Sequence, residues 1–273
     1  MNERTPALRS SDLARVTSRS FYLQAFFTAE RQQGPGFAFA LLPVLRRLYP
    51  DDEARGKALQ RHLGFFSTHP VLSGYVLGLV ARLEERLAQG EDADDGRIEQ
   101  MKRAMASPLA AMGDPLFWVT LRPLAGLVGV LGMVLTPLAD PAGPDWRVLV
   151  CPLLSLLTYN AVALPFRFAG VSRGYASGEE PGKLLRSLRL TDLKSVLERA
   201  GAFAFGALAV STVAVLASSA GLSARDLGHA ALVFAPFALG AAGAVVAFRL
   251  WPGRGVEVSL LSLLLALILS ARA

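Results

Sequence analysis

Residues 113–123 read GDPLFWVTLRP, and this stretch opens an apolar run that continues to Pro137. Asp114 and Arg122 are charged residues at or just inside that run. A charge within a membrane-length segment costs about 3 kcal/mol or more, so such residues usually face a partner or a polar cavity. Pro115 and Pro123 are expected to interrupt the helical hydrogen bonds at two points, as in the broken helices of transporter sites. The alternative is an Arg122 that reaches to the membrane surface and an Asp114 that caps a helix.

The composition is that of an integral membrane protein. Of 273 residues, 52% are hydrophobic and only 18% are charged, whereas soluble domains have about 25% charged residues. The net charge of +6 fits the excess of basic residues in cytosolic loops, and no basic patch with interleaved aromatics suggests nucleic acid. One cysteine, Cys151, and three scattered histidines exclude a disulfide framework and predict no metal site and no cofactor.

Five apolar runs predict an all-α fold with about five transmembrane helices within residues 111–273. Each run is near the length of about 20 residues that a spanning helix needs, except the last, which is shorter. The basic residues are concentrated before residue 103, in a cytosolic loop at about 170–199, and at 249–254, which predicts a cytosolic N-terminus and an external C-terminus. The runs are Leu116–Pro137, Arg147–Phe168, Ala200–Leu222, His229–Trp251 and Val256–Ala271.

The region before the spans contains apolar pieces that are too short to cross a membrane. Residues 1–20 form either a polar cytosolic tail or a short amphipathic helix at the membrane surface. Residues 21–110 alternate short apolar helices with polar connections, which predicts re-entrant hairpins or, alternatively, soluble helical hairpins packed on the membrane domain. Within this region, 82–103 is so densely charged that we expect a solvated cytosolic loop.

Two local patterns make narrower predictions. Gln24, Thr28 and Arg31 are spaced by four and three, so a helix over residues 20–33 would place them on one face. Three glycines spaced by four, at 170, 174 and 178, permit either close helix packing or a flexible turn.

The order of short motifs along the first 125 residues resembles one family of bacterial transport proteins. The later half is similar more loosely, through Gly174-Tyr175, Gly178 and 206–208. The motifs that carry the resemblance are Glu30-Arg31 with Gln33 and Gly36-Phe37, then Pro43 with 46–50, Arg61-His62-Leu63 with Phe65-Phe66, Thr68-His69-Pro70, Leu83-Glu84-Glu85, Pro108-Leu109-Ala110, and finally Gly113-Asp114-Pro115 with Phe117-Trp118, Thr120 and Arg122-Pro123. In this order they resemble the IID component of the mannose/fructose/sorbose family of sugar phosphotransferase systems (PTS).

This resemblance implies a permease subunit in the bacterial inner membrane. A IID chain pairs with a IIC membrane chain, and the pair is expected to assemble as a trimer of heterodimers with the sugar between the partners. A cytosolic IIB or IIAB phosphocarrier would supply the phosphoryl group to a bound hexose. No residue of this chain is expected to be phosphorylated, so it would be a non-phosphorylated subunit of a transferase complex.

A hexose exposes hydroxyl groups on every side and so needs amides, carboxylates, hydroxyls and an apolar surface for its ring. Together with the resemblance, this chemistry predicts eight sugar-binding residues and three that support the site, with Trp118 or Phe27 against the ring. Each has a local alternative, such as a helix cap at Thr68 or Asp114. Asp114 and Glu30 are also candidates to accept the sugar proton, although phosphoryl transfer depends mainly on positioning. The predicted binding residues are Gln24, Thr28, Glu30, Gln33, Ser67, Thr68, His69 and Asp114, and the supporting residues are Arg31, Trp118 and Arg122.

Two departures from the family pattern bear on the function. Trp-Asn is usual where this chain has Phe27-Thr28, and Phe-Asn-Thr is usual where it has 66–68. Two amides are thereby replaced by the shorter hydroxyls of Thr28 and Ser67, which make fewer hydrogen bonds. The leading hypothesis is a sugar-translocating IID subunit, and the alternative is a non-transporting membrane protein that senses the phosphorylation state of IIB.

Overall fold

The computed structural model describes residues 7–91, 95–136, 147–178 and 180–219. Within these ranges the regular structure is helical, and the contacts place everything before Ala209 in one unit. The helices are α1 Ser10–Ser20, α2 Gly34–Leu48, α3 Asp52–His62, α4 Ser73–Ala88, α5 Asp95–Asp114, α6 Arg122–Leu135, α7 Arg147–Ala176, α8 Pro181–Ser187 and α9 Leu190–Ser219, with a 3₁₀ turn at Leu23–Phe26 and a π-helical segment at Pro115–Leu121.

The centre of the fold is α4, which is buried along most of its length. It packs against α7 on one side and against α2 and α5 on others, while α1 lies on α2. The largest side chains that it contributes to the core include Tyr75, Leu77 and Leu79. Helix α4 therefore connects the N-terminal helices to the longer helices that follow.

Small residues bring α4 and α7 into backbone contact. A Cβ atom added at Gly78 would lie 2.0 Å from the carbonyl oxygen of Val171, and one added at Gly174 would lie 2.1 Å from that of Tyr75. Gly74 and Gly170 face each other in the same interface. Of the two interpretations for the glycines at 170, 174 and 178, close packing applies to the first two. Gly178 has a φ of +59° and forms the turn after α7.

The stretch at 113–123 is one uninterrupted helical path and does not break as predicted. Helix α5, the π segment and α6 continue from Gly96 to Leu135 as a single helix of 40 residues. The wider π turn accommodates Pro115, because the Arg122 N–H donates to the carbonyl of Phe117, five residues earlier. The Thr120 hydroxyl donates to the Pro115 carbonyl at 3.0 Å, which satisfies an acceptor in the widened turn.

Two helices of the described part are long and apolar enough to cross a membrane, Gly96–Leu135 and Val148–Ala176. At 1.5 Å per residue the first is about 60 Å long, twice the hydrocarbon thickness of about 30 Å, so its charged first half extends beyond the apolar layer. These helices cover residues 116–135 and 148–168 of the first two predicted spans. The third overlaps α9, while His229–Trp251 and Val256–Ala271 lie outside the described residues.

The N-terminal region agrees with the sequence prediction in one segment and differs from it in the next. Residues 10–20 do form a helix, in agreement with the helical alternative, and it packs on α2. The helix predicted over residues 20–33 is wrong: after the 3₁₀ turn the chain folds back, and Thr28 and Gln32 exchange backbone hydrogen bonds at 2.8 and 3.1 Å. Gln32 enables the reversal with a φ of +53°, in the left-handed region.

The charged stretch at 82–103 is mostly helical, and its first acids are not solvated as predicted. Glu84 and Glu85 are 0% and 1% exposed on the last turns of α4. Glu84 accepts hydrogen bonds from Tyr49 Oη at 2.8 Å and pairs with His62 Nε2 at 2.8 Å. Glu85 accepts from the Leu8 N–H at 2.7 Å. Paired in this way, the two carboxylates join α1, α3 and α4 instead of meeting water.

The predicted loop at about 170–199 is also largely helical, because α7 runs to Ala176 and α8 and α9 follow after short turns.

Candidate functional site

The polar segments singled out in the sequence meet where the loop before α2 touches the loop before α4. Gln33 ends the first loop, and its side chain forms two hydrogen bonds with one residue of the second. Its Nε2 donates to the Thr68 carbonyl at 2.8 Å, and its Oε1 accepts from the Thr68 N–H at 3.1 Å. The Gln33 backbone N–H adds a third bond to the Phe66 carbonyl at 2.8 Å. Gln33 therefore clamps the second loop, and its amide is fully used within the protein.

Thr68 is fixed from its other side as well. It is 4% exposed, and its hydroxyl donates to the carbonyl of Ala106 on α5 at 2.9 Å. Beneath this loop, the Lys102 ammonium lies 5.0 Å from the ring centre of Phe37 and 5.7 Å from that of Phe66. The two loops and α5 consequently form one rigid support, in which Thr68 has a structural role.

His69 projects from this support against the π segment. Its ring stacks on Phe117 with centroids 4.7 Å apart and meets Trp118 edge-on at 5.4 Å. Only glycine fits at position 113, because a Cβ there would lie 2.6 Å from that of His69. Burial, together with the positive charge of Arg167, lowers the pKa of His69 to about 4, so the imidazole is neutral near pH 7.

The tautomer of His69 follows from the one hydrogen bond that its ring makes with the described part of the chain. Nδ1 accepts from the Val71 N–H at 3.3 Å, so the ring proton belongs on Nε2. That Nε2 is buried and has no hydrogen-bond partner within the described part of the chain. A buried N–H without an acceptor is unfavourable by about 1–3 kcal/mol, and so the site presents a donor that is suited to a ligand oxygen.

The π segment contributes Trp118, and the first residue of α6 is Arg122. The Arg122 guanidinium lies 5.6 Å from the Trp118 ring centre, a cation–π contact, and Trp118 is 43% exposed. Asp114 is exposed and makes no ion pair or hydrogen bond with any residue that the structure describes. The charges at 114 and 122 are thus not partners of each other.

The other predicted binding residues lie on the surface of the same loops. Gln24, Thr28, Glu30, Arg31 and Ser67 are all exposed. The Thr28 hydroxyl accepts from the Arg31 N–H at 3.1 Å, and the Arg31 carbonyl accepts from the Phe66 N–H at 3.3 Å. The two loops are therefore contiguous, although the side chains of these five residues are not in contact with His69 in the described structure.

Sequence reasoning missed the contribution of α7. Phe166 packs edge-on against Phe117 with centroids 5.9 Å apart, and Arg167 lies near His69 and stacks over Phe21 at 4.8 Å. Arg167, near the end of the apolar run at 147–168, was the available signal, because an intramembrane cation is expected to face a site or a partner. No group of three metal-ligating side chains is found among the described residues.

A sequence profile of the PTS mannose/fructose/sorbose family IID component matches residues 7–227. The chain belongs to this family. The resemblance carried by the motifs at 30–123 is thereby confirmed, and every residue of the candidate site lies within the matched range.

Curated IID components from several bacteria are similar over most of their length. The mannose-specific EIID component of Escherichia coli K12 is 38% identical over 207 residues, which cover 74% of this chain and 68% of the relative. The fructose permease IID component of Bacillus subtilis is 33% identical over 76% of this chain and 71% of the relative. The sorbose-specific EIID component of Klebsiella pneumoniae is 36% identical, with 74% and 69% covered.

Solved structures support the same fold for this IID component. A cryo-EM structure of the mannose transporter ManYZ with microcin E492 contains a chain that is 37% identical, with a TM-score of 0.57 over 74% of this chain and 70% of that chain. A second structure, described as a membrane protein, gives a TM-score of 0.63 at 37% identity, covering 74% and 71%. The helical membrane fold predicted from the sequence is confirmed at this level.

Proposed function

We propose that this chain is the IID subunit of a phosphoenolpyruvate-dependent permease that translocates a hexose and couples the transport to phosphorylation by phospho-IIB. One observation carries the proposal: the buried Nε2–H of His69, beside an exposed Trp118, is a donor without an acceptor among the described residues, in a support held by Gln33 and Thr68. A sugar hydroxyl would accept a hydrogen bond from that N–H, and the indole would contact the apolar face of the sugar ring.

The structure refines which residues we propose to touch sugar. Gln33 and Thr68 use their polar atoms within the protein, so we assign them positioning roles. The proposed contacts that remain are His69 and five exposed residues from the 3₁₀ turn, the two loops and the end of α5, namely Gln24, Thr28, Glu30, Ser67 and Asp114. Arg31, Trp118 and Arg122 support the site.

A second membrane chain would complete this site. The same segments expose Phe26, Phe27 and Phe65 with 43%, 53% and 63% of their surface accessible. Large apolar side chains that flank polar groups are typical of surfaces that bind a partner. A IIC subunit, in a heterodimer that forms trimers, is the partner that we propose here, with residues 21–110 forming re-entrant hairpins beside it and IIB docking from the cytosol.

Transport by variants of His69 tests the proposal. The chain would be co-expressed with its IIC and IIB partners in a host without hexose uptake, and phosphoenolpyruvate-dependent uptake of labelled hexoses would be measured. We expect His69→Phe, which keeps the stacking and removes the donor, to reduce uptake about tenfold or more. His69→Gln, which restores an N–H near the Nε2 position, should recover part of it.

The control is Lys57→Gln, at an exposed cation of α3, which should transport like the unmodified chain. Membrane levels of each variant must match for the comparison to hold. Absence of uptake for every hexose by the unmodified chain would overturn the proposal.

One observation favours the alternative of a non-transporting sensor of IIB phosphorylation. Thr28, where the family usually has an amide, uses its hydroxyl to accept from the Arg31 N–H within its own loop. Isothermal titration of the purified complex with hexoses separates the two functions, since a transporter must bind sugar and a sensor need not.

A further inference from the structure

An amphipathic groove of about 720 Å³ lies between α5 and the α8–α9 turn, and none of the proposed sugar-binding residues lines it. Its apolar part is formed by Pro108 and Met112 of α5 with Leu185 and Leu190. Arg186 and Arg189 line the same groove and are exposed. An apolar floor with a cationic rim matches a molecule that has a hydrocarbon part next to an anionic group.

The two arginines differ in their availability. Arg189 pairs with Asp192 at 2.8 Å, so its charge is already compensated. Arg186 forms no ion pair with any described residue, although it lies at the groove. A guanidinium forms two parallel hydrogen bonds to a phosphate, which makes Arg186 the anchor for the anionic group.

The groove lies close to the start of the apolar run. Met112 precedes Leu116 by four residues on a continuous helix, which corresponds to about 6 Å along the axis. Helix α8 follows directly after α7, the second membrane-length helix. Both long helices thus have their basic ends here, on the side that charge asymmetry assigns to the cytosol, where anionic lipids are exposed to the protein.

We propose that this groove binds an anionic phospholipid of the cytosolic leaflet. The phosphate of the lipid contacts Arg186, and an acyl chain lies along Pro108, Met112, Leu185 and Leu190. A soluble acidic protein would meet the same charge, but it would leave this apolar floor without a matching group, and so a lipid fits the surface better. The proposal depends on the membrane placement and is independent of sugar transport.

Lipid retention by the purified full chain tests the groove directly. The protein in neutral detergent would receive phosphatidylglycerol or phosphatidylethanolamine with identical acyl chains, and bound lipid would be counted by native mass spectrometry. We expect preferential retention of phosphatidylglycerol. Arg186→Gln should reduce that retention about fivefold, the value for one basic residue at a charged surface, while Arg186→Lys keeps most of it.

A second variant tests the apolar part without changing the charge. A side chain at Gly182 has room, since a Cβ there would meet only Arg186 Nη1 at 3.7 Å, so Gly182→Leu should fold and occupy part of the groove. It should lower lipid retention, whereas Lys57→Gln, at an exposed cation of α3, should leave it unchanged.

Three results would overturn the proposal. They are equal retention of the two lipids by the unmodified chain, an equal loss in Lys57→Gln, and displacement of the bound lipid by excess inorganic phosphate, which would indicate a simple anion site. A fourth contradicting result would be protection of a Gly182→Cys thiol, in a Cys151→Ser background, from maleimide by soluble IIB and not by phosphatidylglycerol vesicles, which would assign the groove to a protein instead.

Discussion

The amide of Gln33 pairs with both backbone groups of one residue, as a neighbouring strand would. Replacing it with the apolar Gln33→Leu would leave the Thr68 N–H and carbonyl without those partners in a buried setting. We expect a loss of about 2–4 kcal/mol in the free energy of unfolding. Thermal unfolding in detergent measures this loss, and Gln60→Leu, at an exposed glutamine of α3, provides the matched control. A melting temperature as high as that of the control would contradict the positioning role.

The burial of His62 makes the stability of the protein depend on pH. Burial lowers the pKa of His62 below its ordinary value of about 6.5, although the hydrogen bond to Glu84 opposes the shift. As the pH falls below about 6.5, the unfolded chain binds a proton that the folded chain does not, so stability decreases with acidification.

The protonation of this one histidine can change the free energy of unfolding by at most about 1.4 kcal/mol per pH unit. The free energy of unfolding, measured at several values from pH 8 to pH 5, should decrease as the pH falls. His69 contributes in the same direction, so His62→Gln should reduce the slope without abolishing it. An identical slope in that variant would show that His62 is not responsible.

At the scale of helices, the contact between α4 and α7 depends on the absence of side chains. Gly78→Ala would place a methyl group 2.0 Å from the Val171 carbonyl oxygen, so the helices must separate. We expect a cost of about 1–3 kcal/mol. Gly126→Ala in α6 is the control, because nothing lies within 4 Å of the added carbon, and it should be neutral or stabilising by about 1 kcal/mol. Equal melting temperatures for the two variants would contradict the close packing.

Helices were predicted correctly from the sequence where the hydrophobic runs were long. The prediction was poorer where local backbone geometry determines the path of the chain. The spans containing residues 116–137 and 147–168 follow directly from length and polarity. The π turn at Pro115 could not be predicted, because proline signals an interruption and does not specify how neighbouring carbonyls are satisfied. The chain reversal at Thr28–Gln32 could not be predicted from the spacing of polar residues either. It depends on one residue with a positive φ and on pairing with Phe66, more than thirty positions away.

The candidate site could also be predicted only in part, because tertiary contacts determine which of its polar groups are free to bind a ligand. His69 and Trp118 were identified as site residues by resemblance and polarity, and the structure brings them together. Gln33 and Thr68 carried the same signals, yet their polar atoms bind the protein, which only tertiary contacts reveal. Arg167 was missed because a single cation in an apolar run gives no indication of which segment it faces.

For the whole molecule, the charge distribution predicts which side of the membrane each connection faces. Starting from a Cys151→Ser background, single cysteines at Lys57, Asp145 and Ala273 would be treated with an impermeant maleimide in intact cells. We expect Asp145→Cys and Ala273→Cys to react, and Lys57→Cys to react only after permeabilisation, because basic regions are retained in the cytosol. Reaction of Lys57→Cys in intact cells would invert the topology.

The partnering of Glu85 also has a consequence for biosynthesis. Its carboxylate accepts a hydrogen bond from Tyr175, which follows 90 positions later in the chain. At a synthesis rate of about 5–20 residues per second, α4 waits on the order of 5–20 seconds for α7 to emerge. During that interval Glu85 lacks its contact with Tyr175, and the glycine face of α4 is uncovered. The nascent chain therefore needs water, lipid headgroups or a chaperone beside α4 until α7 arrives, and a ribosome that stalls between the two helices would leave a fragment suited to quality-control proteolysis.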